Sequence, residues 1–373
     1  MCKKFVFLAT TVSLSEIHIN RPYFELTKAM SKRGYCGILV CGSTSVVPGE
    51  DTKIYQTGIS SDRHIDTVKV FRKTLQILLA ERPNIAVIFH MNLLISALIT
   101  MYRIVNFLSP RKGSNNTTWV LKLDWDGSGF QGTSSIGMKL RNLFLCYNSI
   151  FVDYIVAENS CSAESTRILP FVDRNKIKVI PNSYSSAYPL VKYSETKREN
   201  IVLCVARVSP EKGIDILVEC FKDLSERFSN WSLVVAGPIE NKAYFHSLSK
   251  RIEQTPNPSA IKFTGFVSQS SLSDLYRKAS VFCLPSIKES FGLTRVEAIA
   301  NGLPVITTSA GCGEDFEKYG SVVVPSGDIS LLKDALSTLM SDLVARIAVS
   351  EKQQLTYPNY DLIADMFASL EIV

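Results

Sequence analysis

The feature that most constrains the fold is a regular alternation of short apolar runs with segments of helical periodicity. In the first half, strand-like apolar runs occur at residues 5–10, 37–41, 52–56, 85–89, 119–123 and 151–157. Helical patterns lie between them at residues 22–33, 62–79, 91–108 and 136–147. Parallel strands need long crossover connections, which are usually helices. The first half is therefore predicted to form a parallel sheet flanked by helices.

A second run of the same kind follows a polar, charged segment. Its strands are predicted at 201–206, 232–236, 261–263, 281–284, 305–307 and 321–324, with helices near 213–228, 241–254, 270–279, 293–301 and 328–340. A chain of 373 residues is too long for one ordinary core. The predicted fold class is α/β, with two Rossmann-like domains facing each other across a cleft. The predicted domains are 1–186 and 187–356, and a last helix within 357–373 is expected to pack back onto the first domain.

One strand-to-helix turn in the second half carries an unusual set of residues. Glu289, Phe291, Gly292 and Leu293 follow an apolar strand, and the helix that comes next contains Glu297. In open α/β sheets, ligands bind at the carboxyl ends of strands. Gly292 permits close approach to the backbone, and the first amides of a helix suit a phosphate. Because carboxylates do not bind phosphate, the two glutamates indicate a polyhydroxyl group joined to phosphate, as in a nucleotide sugar.

A second turn of this kind carries cations. Arg207 and Lys212 follow the strand that opens the second half. A guanidinium fork and an ammonium point charge together suit a diphosphate. An alternative for both is a surface ion pair with nearby acids such as Glu211. For Glu297, the alternative is a merely solvated helix residue.

In this order and spacing, the turns resemble those of the retaining, GT-B fold nucleotide-sugar glycosyltransferases of family 4. The signatures of that family are R-x4-K and E-x7-E, which correspond here to Arg207 with Lys212 and to Glu289 with Glu297. The resemblance is specific over residues 178–325 and only topological over residues 1–177.

The resemblance implies a role for each matching position. Glu297 would bind the ribose hydroxyls, and Glu289 the donor sugar or its neighbouring phosphate. Arg207 and Lys212 would neutralise the diphosphate leaving group. The other implied donor contacts are the amides of Phe291, Gly292 and Leu293, the base-holding residues Phe266 and Val267, and Gly237, which ends another strand on the same edge. The implied reaction is metal-independent, retaining sugar transfer to a glycan or lipid-linked acceptor, without a cofactor, because the two cations supply the charge.

The acceptor side is less typical. Asp124 and Asp126 form a D-x-D tripeptide, which binds manganese in the other glycosyltransferase fold, GT-A. It is also a frequent chance tripeptide, and it lies in the wrong domain for the donor. Members of the resembling family often have a histidine here, so either aspartate is a candidate to orient or deprotonate the acceptor hydroxyl. His90 is expected to point towards the cleft, with a core position as the alternative. The loop predicted after the first strand lacks the usual glycines, although Thr11 and Ser13 could replace them.

Charge is unevenly distributed along the chain. Residues 1–190 hold 22 Lys or Arg against 13 Asp or Glu, whereas residues 191–373 hold 19 against 22. A basic first half fits a lipid phosphate or a membrane surface, or else simply solvated lysines. Nucleic acid is not expected, because no dense basic and aromatic stripe occurs. Since no signal peptide is recognisable, the chain is predicted to be cytoplasmic, with peripheral contact at the inner face of the membrane left open.

The apolar stretch at 91–108 adds to this prediction. Together with the strand before it, the stretch is long enough to consider a transmembrane span. His90, Asn92 and Arg103 interrupt it, so a strand leading into a buried or membrane-touching helix is favoured.

Two other functions remain open from the sequence. One is a nucleotide-sugar epimerase of the same fold, which would release free sugar and need no acceptor. The other is a non-catalytic glycan- or nucleotide-binding module on a glycosyltransferase scaffold. The missing glycine loop favours the second, and the intact signature residues oppose it.

Overall fold

The computed structural model describes residues 2–14, 22–45, 52–58, 67–89, 93–108, 116–123, 136–184 and 190–371. The chain forms two compact units. Unit 1 comprises Met1–Ser185 and Pro358–Val373, and unit 2 comprises Ser186–Tyr357. The final helix of the chain therefore belongs to the same unit as the first strand.

The described residues contain strands and helices in near-strict alternation. The strands are β1 (Lys3–Leu14), β2 (Tyr35–Thr44), β3 (Thr52–Gln56), β4 (Ile85–Ile88), β5 (Thr118–Leu123), β6 (Tyr154–Ala157), β7 (Ile177–Val179), β8 (Ile201–Val205), β9 (Ser232–Ala236), β10 (Ile261–Gly265), β11 (Val281–Leu284), β12 (Val305–Thr308) and β13 (Val322–Val324). The helices are α1 (Pro22–Ser31), α2 (Thr67–Glu81), α3 (Leu93–Leu108), α4 (Ile136–Phe151), α5 (Ser160–Arg167), α6 (Ile214–Arg227), α7 (Lys242–Glu253), α8 (Gln269–Lys278), α9 (Leu293–Ala300), α10 (Glu314–Glu317), α11 (Ile329–Ser341), α12 (Leu343–Thr356) and α13 (Tyr360–Ala368).

Unit 1 is built on a parallel sheet in the order β3-β2-β1-β4-β5-β6-β7. Every residue of β4 and β5 is buried, as expected for strands covered on both faces. One face packs against apolar residues of α2, α3 and α4. The other packs against α1 and α13, where the ring of Phe367 meets that of Phe5 edge-on at 6.4 Å. The predicted Rossmann-like architecture of this half is confirmed.

Charged contacts fix α13 against α1 within unit 1. The Arg33 guanidinium, just after α1, donates from Nε to Asp365 and from Nη1 to Asp361, both at 2.8 Å. Further along, Glu371 accepts hydrogen bonds from Lys3 at 2.8 Å and from Tyr35 at 2.5 Å. Polar contacts thus hold both α13 and the residue Glu371 that follows it within unit 1.

The first strand is longer than the sequence predicted. Residues expected to form a glycine-free loop after strand one continue β1 as far as Leu14. Pairing with β2 is irregular there, because Ala9 pairs with Cys41 but Ser13 pairs with Ser43. The prediction of a loop at this point was wrong. A bulge lets a strand absorb extra residues without leaving its sheet.

The apolar stretch near residue 100 forms β4 followed by α3. Within the residues that the structure describes, no helix combines the length and apolar character needed to cross a membrane. Leu98, Ile99 and Tyr102 of α3 are buried against the sheet, whereas Phe107 and Leu108 are exposed. The predicted arrangement of a strand leading into a partly buried helix is confirmed.

Unit 2 contains a second parallel sheet, in the order β10-β9-β8-β11-β12-β13. The strand order reverses between β8 and β11, since the chain builds outwards from β8 in one direction and then returns to its other side. This is the topological switch point, where open α/β sheets bind ligands. Both strands that flank it are almost fully buried and form part of the unit 2 core.

Several predicted boundaries need correction. Phe151, predicted to begin a strand, is the last residue of α4. Three helices were missed: α5, α10 and α12. Helix α5 is polar and has no apolar stripe, so periodicity could not reveal it. Its start is set by Asn159, whose side chain accepts a hydrogen bond from the Ser162 amide at 2.8 Å.

Candidate active site

Two strand-to-helix turns meet at the switch point of unit 2. The first runs from the end of β8 to α6, and the second from the end of β11 to α9. The amides of Ile287 and Lys288 donate to the Glu211 carbonyl at 2.8 and 3.0 Å. A Cβ added to Gly213 would lie 2.2 Å from the Pro285 carbonyl oxygen. Backbone contacts therefore hold the two turns against each other before any side chain contributes.

An ion pair of Lys212 with Glu289 joins the same two turns. The ammonium of Lys212 lies 2.9 Å from the Glu289 carboxylate, and the two side chains are 12% and 10% exposed. Glu289 also accepts from the Ser286 hydroxyl at 3.3 Å and from the Ser290 amide at 3.2 Å. Sequence analysis had offered a surface pair with Glu211 as the alternative for Lys212. The structure instead brings Lys212 together with a predicted site residue in a nearly buried contact.

The turn before α9 presents backbone rather than side chains. Gly292 has φ +73° and immediately precedes the helix. Phe291 is buried, and its ring lies 5.6 Å from that of Phe316. The first amides of a helix have no partner inside it. Since the Phe291 ring anchors the turn, what the segment offers to a ligand is the run of amides that includes Gly292 and Leu293.

Glu297 lies on α9 and is only partly buried. Its carboxylate accepts a hydrogen bond from the hydroxyl of Tyr276 at 2.9 Å, and Tyr276 is fully buried on α8. Glu297 is therefore oriented by a rigid neighbour and is not a merely solvated helix residue. Tyr276 was not predicted as a site residue. It lies among mostly polar residues of α8, and nothing in that local sequence indicates a contact with Glu297.

Arg207 is placed differently from Lys212. Its guanidinium contacts Glu240 at 2.5 Å and Glu211 at 3.3 Å, and all three side chains are about half exposed or somewhat less. The surface ion pair that sequence analysis left open for Arg207 is the arrangement observed. Glu240 was not predicted, and it comes from the loop after β9.

The other two strand ends lie on the same edge of the sheet. Gly237, after β9, has φ +152°, and a Cβ there would lie 2.0 Å from the carbonyl oxygen of Ala206. Its amide donates to the Gly265 carbonyl at 3.0 Å. Phe266 follows Gly265 and is 78% exposed, while Val267 is partly buried. An exposed aromatic ring beside a glycine turn is a suitable platform for a planar base.

The thiols near the site are unsuited to act as nucleophiles. Cys204 on β8 and Cys283 on β11 are fully buried. Burial raises the pKa of Cys204 to about 12 and holds the pKa of Cys283 well above its usual value. Only the thiolate is reactive, so neither sulfur serves as a catalytic group.

The predicted acceptor-side residues fall outside the described part of the chain. Asp124, Asp126 and His90 are among the residues whose placement is not described. Beside them in sequence, the structure shows a buried ion pair in unit 1 that was not predicted. Lys122 on β5 contacts Glu158, just after β6, and both side chains are about 95% buried or more.

Residues 191–354 match the family model described as glycosyl transferases group 1. This segment is less than half of the chain, and over it the sequence resembles the glycosyl transferases group 1 family. The group 1 segment contains both strand-to-helix turns of the switch point, including the Lys212–Glu289 ion pair.

Two enzymes illustrate the relatives to which this chain is similar. It is 34% identical over 116 residues to mannosylfructose-phosphate synthase of Agrobacterium fabrum, covering 30% of this chain and 26% of that protein. It is 29% identical over 150 residues to the lipopolysaccharide core biosynthesis mannosyltransferase LpsB of Rhizobium meliloti, covering 39% and 42%. The matches span less than half the length of these relatives.

Solved structures resemble this chain over nearly its whole length. HepE of Anabaena in complex with UDP and glucose aligns with a TM-score of 0.67 and 15% identity, covering 98% of each chain. Sucrose-phosphate synthase of Thermosynechococcus elongatus aligns with a TM-score of 0.66 and 16% identity, covering 99% of this chain and 98% of the other. At such low identity the likeness shows the fold alone, and that fold is GT-B.

Proposed function

We propose that this chain is a retaining glycosyltransferase that moves a sugar from a nucleotide-diphosphate sugar to a glycan or lipid-linked acceptor. The observation that carries the proposal is the nearly buried pair of Lys212 and Glu289 across the switch point. The names of the relatives support the same chemistry. LpsB is a mannosyltransferase, and HepE was crystallised with UDP and glucose.

The proposed division of labour follows the local chemistry. Lys212 and Arg207 neutralise the departing diphosphate, and the amides at Gly292 hold its oxygens. Glu289, held by three donors, faces the sugar or the adjoining phosphate. Glu297, oriented by Tyr276, accepts from the ribose hydroxyls.

In this scheme, breaking the sugar–phosphate bond passes through an oxocarbenium-like state. Negative charge builds on the leaving phosphate, so cations already in place lower the barrier. Arg207 must first leave Glu240 to take part, which is feasible because their ion pair is half exposed.

The same cations support a reaction without a metal or cofactor. Charge on a leaving diphosphate can be neutralised by Lys and Arg as well as by a divalent ion. The test is transfer in the presence of excess chelator. An unchanged rate supports this part of the proposal. A rate that falls with the chelator and is restored only by added manganese contradicts it and favours a metal site at Asp124 and Asp126.

On the acceptor side, we assign Asp124 or Asp126 to the orientation or deprotonation of the acceptor hydroxyl. The D-x-D position directly after β5 supports this, since carboxyl ends of parallel strands face the ligand side of the sheet. Asp124→Asn is expected to slow transfer while sparing donor hydrolysis. Unchanged rates of both reactions contradict the role of Asp124, and the same comparison with Asp126→Asn tests its partner.

The activity is tested with a panel of nucleotide sugars and acceptors. A thermal-shift screen first selects the donor, because a ligand at about 100 times its dissociation constant stabilises by roughly 2.7 kcal/mol. Nucleoside diphosphate release is then measured with and without glycan and lipid-linked acceptors, and NMR reads the anomeric configuration of the product. Free sugar from every donor without an acceptor favours the epimerase alternative. Binding without turnover favours the non-catalytic module.

We also propose that unit 1 contacts an anionic membrane surface through α2, α3 and α4. The exposed faces of α3 and α4 are rich in large apolar side chains: Met101, Ile104, Phe107, Leu108, Leu143, Tyr147 and Ile150. The sequences of the three helices hold six Lys or Arg but a single acid, Glu81. That acid is buried and paired with Lys4 at 2.7 Å. An apolar surface on helices whose sequences are rich in Lys and Arg fits phosphate headgroups above acyl chains.

Vesicle flotation tests this contact. Wild type is expected to float with phosphatidylglycerol vesicles, less so at high salt, and not with phosphatidylcholine alone. Phe107→Ser combined with Ile150→Ser should weaken flotation and leave sugar transfer to a soluble acceptor unchanged. Concentration-dependent dimerisation that this double variant abolishes, without any flotation of wild type, would assign the surface to a second copy instead.

A further inference from the structure

Arg295 lies in the first turn of α9, where the helix dipole disfavours a cation. The side chain is fully buried, with 0% exposure. It occupies the third position of the helix, where the helix dipole favours acids. A buried charge is costly unless it is paired. Positions that break local rules in this way tend to be functional.

The guanidinium of Arg295 packs directly under the Gly292 turn. A Cβ placed on Gly292 would lie only 2.5 Å from Nε and 3.0 Å from Nη2. The guanidinium also lies over the ring of Phe316, at 4.5 Å from its centroid. The cation is therefore held between an aromatic ring and the backbone that presents the amides of the site.

Polar contacts compensate the charge only in part. Nη2 donates to the Ala310 carbonyl at 3.3 Å, whereas Nε and Nη1 have no hydrogen-bond partner within the described part of the chain. Burial lowers the pKa of Arg295 to about 10, against the raising effect of Glu289, Tyr357 and Glu314. The group stays charged at neutral pH, and its most influential acid, Glu289, is already bonded to Lys212.

A cation buried in a low-dielectric region acts more strongly on its surroundings than an exposed one. Near the Gly292 turn, the charges of Lys212 and Glu289 match each other in an ion pair. Arg295 therefore adds one positive charge beyond that pair. An anion resting on the amides of the turn would supply the missing countercharge. Exposed Arg207, whose charge solvent screens and Glu240 already pairs, cannot supply the same field.

We propose that Arg295 is a positioning residue for the diphosphate of the donor. It holds the Gly292 turn from below and adds a buried positive charge that a bound anion would balance. This inference rests on the proposed function. It assigns to Arg295 a contribution to diphosphate affinity that acts through the turn, without contact between its side chain and the ligand.

The test separates charge from structure by comparing two probes, inorganic pyrophosphate and the neutral nucleoside of the donor selected above. Arg295→Met removes the charge and keeps the length, whereas Arg295→Lys keeps the charge. For Arg295→Met, the pyrophosphate dissociation constant should rise on the order of tenfold, as for loss of one nearby buried charge. The nucleoside constant should change by less than about twofold. Arg277→Met is the matched control, since the side chain of Arg277 is exposed and pairs with Asp274 on the same helix.

Equal weakening of both probes, or no weakening of either, overturns the inference by making Arg295 a structural residue. If Arg295→Met does not fold, Arg295→Lys decides. Retention of pyrophosphate binding within about threefold supports the role of charge, and selective loss of pyrophosphate binding in the folded Lys variant overturns it. If wild type binds neither pyrophosphate nor any nucleoside diphosphate, the proposed function itself fails.

Discussion

The ammonium of Lys212 and the carboxylate of Glu289 lie 2.9 Å apart, and they connect two turns that are 77 residues apart in sequence. The two side chains are about nine-tenths buried. Breaking a buried pair by removing one partner is more costly than removing both, because a lone charge stays behind. The contribution of this ion pair can therefore be measured by comparing single and double variants.

Removing one member of this pair should cost both stability and rate. Lys212→Met or Glu289→Gln alone is expected to lower the free energy of unfolding by about 3 kcal/mol. The double variant should recover part of that loss. Transfer should fall about a hundredfold or more in every variant, because the charges act on the reacting donor. Urea denaturation and initial rates measure the two effects. Additive losses of stability in the double variant would contradict the coupling.

Replacing Gly292 should be more damaging than replacing a glycine with a similar φ in open space. In Gly292→Ala, the new Cβ meets the Arg295 guanidinium at 2.5 Å, and φ is +73°. Gly327 has φ +86° and nothing within 4 Å of an added Cβ, so Gly327→Ala is the matched control. We expect a loss of about 1 kcal/mol for the control, from the positive φ alone, and about 2 to 3 kcal/mol for Gly292→Ala. Equal losses in thermal or urea unfolding would show that Arg295 moves aside freely.

Releasing Arg207 from Glu240 should strengthen donor binding. Because both side chains are about half exposed, Glu240→Gln should change the unfolding free energy by less than about 0.5 kcal/mol. The freed guanidinium is expected to bind the diphosphate about two- to fivefold more tightly. Titration calorimetry on the single variants and on the pair with Arg207→Met checks the cause. A gain that persists without Arg207 would rule out competition for its guanidinium.

Glu371 should make the stability of unit 1 depend on pH. Burial would raise the pKa of Glu371, but hydrogen bonds from Lys3, Tyr35 and Asn84 outweigh it and hold the pKa below the ordinary value. A lowered pKa stabilises the fold above the pKa of the unfolded state, about 4.3, and this gain is lost as pH falls through the folded-state pKa. Glu371→Gln should therefore be more destabilising at neutral pH than at about pH 3. Urea unfolding at both values measures it, and a pH-independent effect would point to lost packing.

Glu164→Gln is a suitable control for that experiment. Glu164 forms an exposed pair with Arg167, and its side chain is 67% exposed. Exposed pairs contribute little to stability, so this variant should behave as wild type at both pH values.

The sequence determined the two βα repeats, the switch-point turns and the residues that they carry. Each of these features depends on residues that lie close together in sequence. They are apolar runs of strand length, a glycine before a helix, and charged residues at fixed spacing. Lys212, Glu289, Gly292 and Glu297 could therefore be placed on the right turns without a structure.

Only the tertiary structure decided which of these residues meet. That Lys212 pairs with Glu289 while Arg207 turns to Glu240 depends on contacts between elements far apart in sequence. Arg295 was not singled out from the sequence, and its burial against Phe316 follows from how α9 packs in unit 2. The extension of β1 had the same cause, because pairing with β2 overrode a local pattern that resembled a loop. Spacing along the chain specifies which turn a charge lies on, and packing specifies which charge it meets.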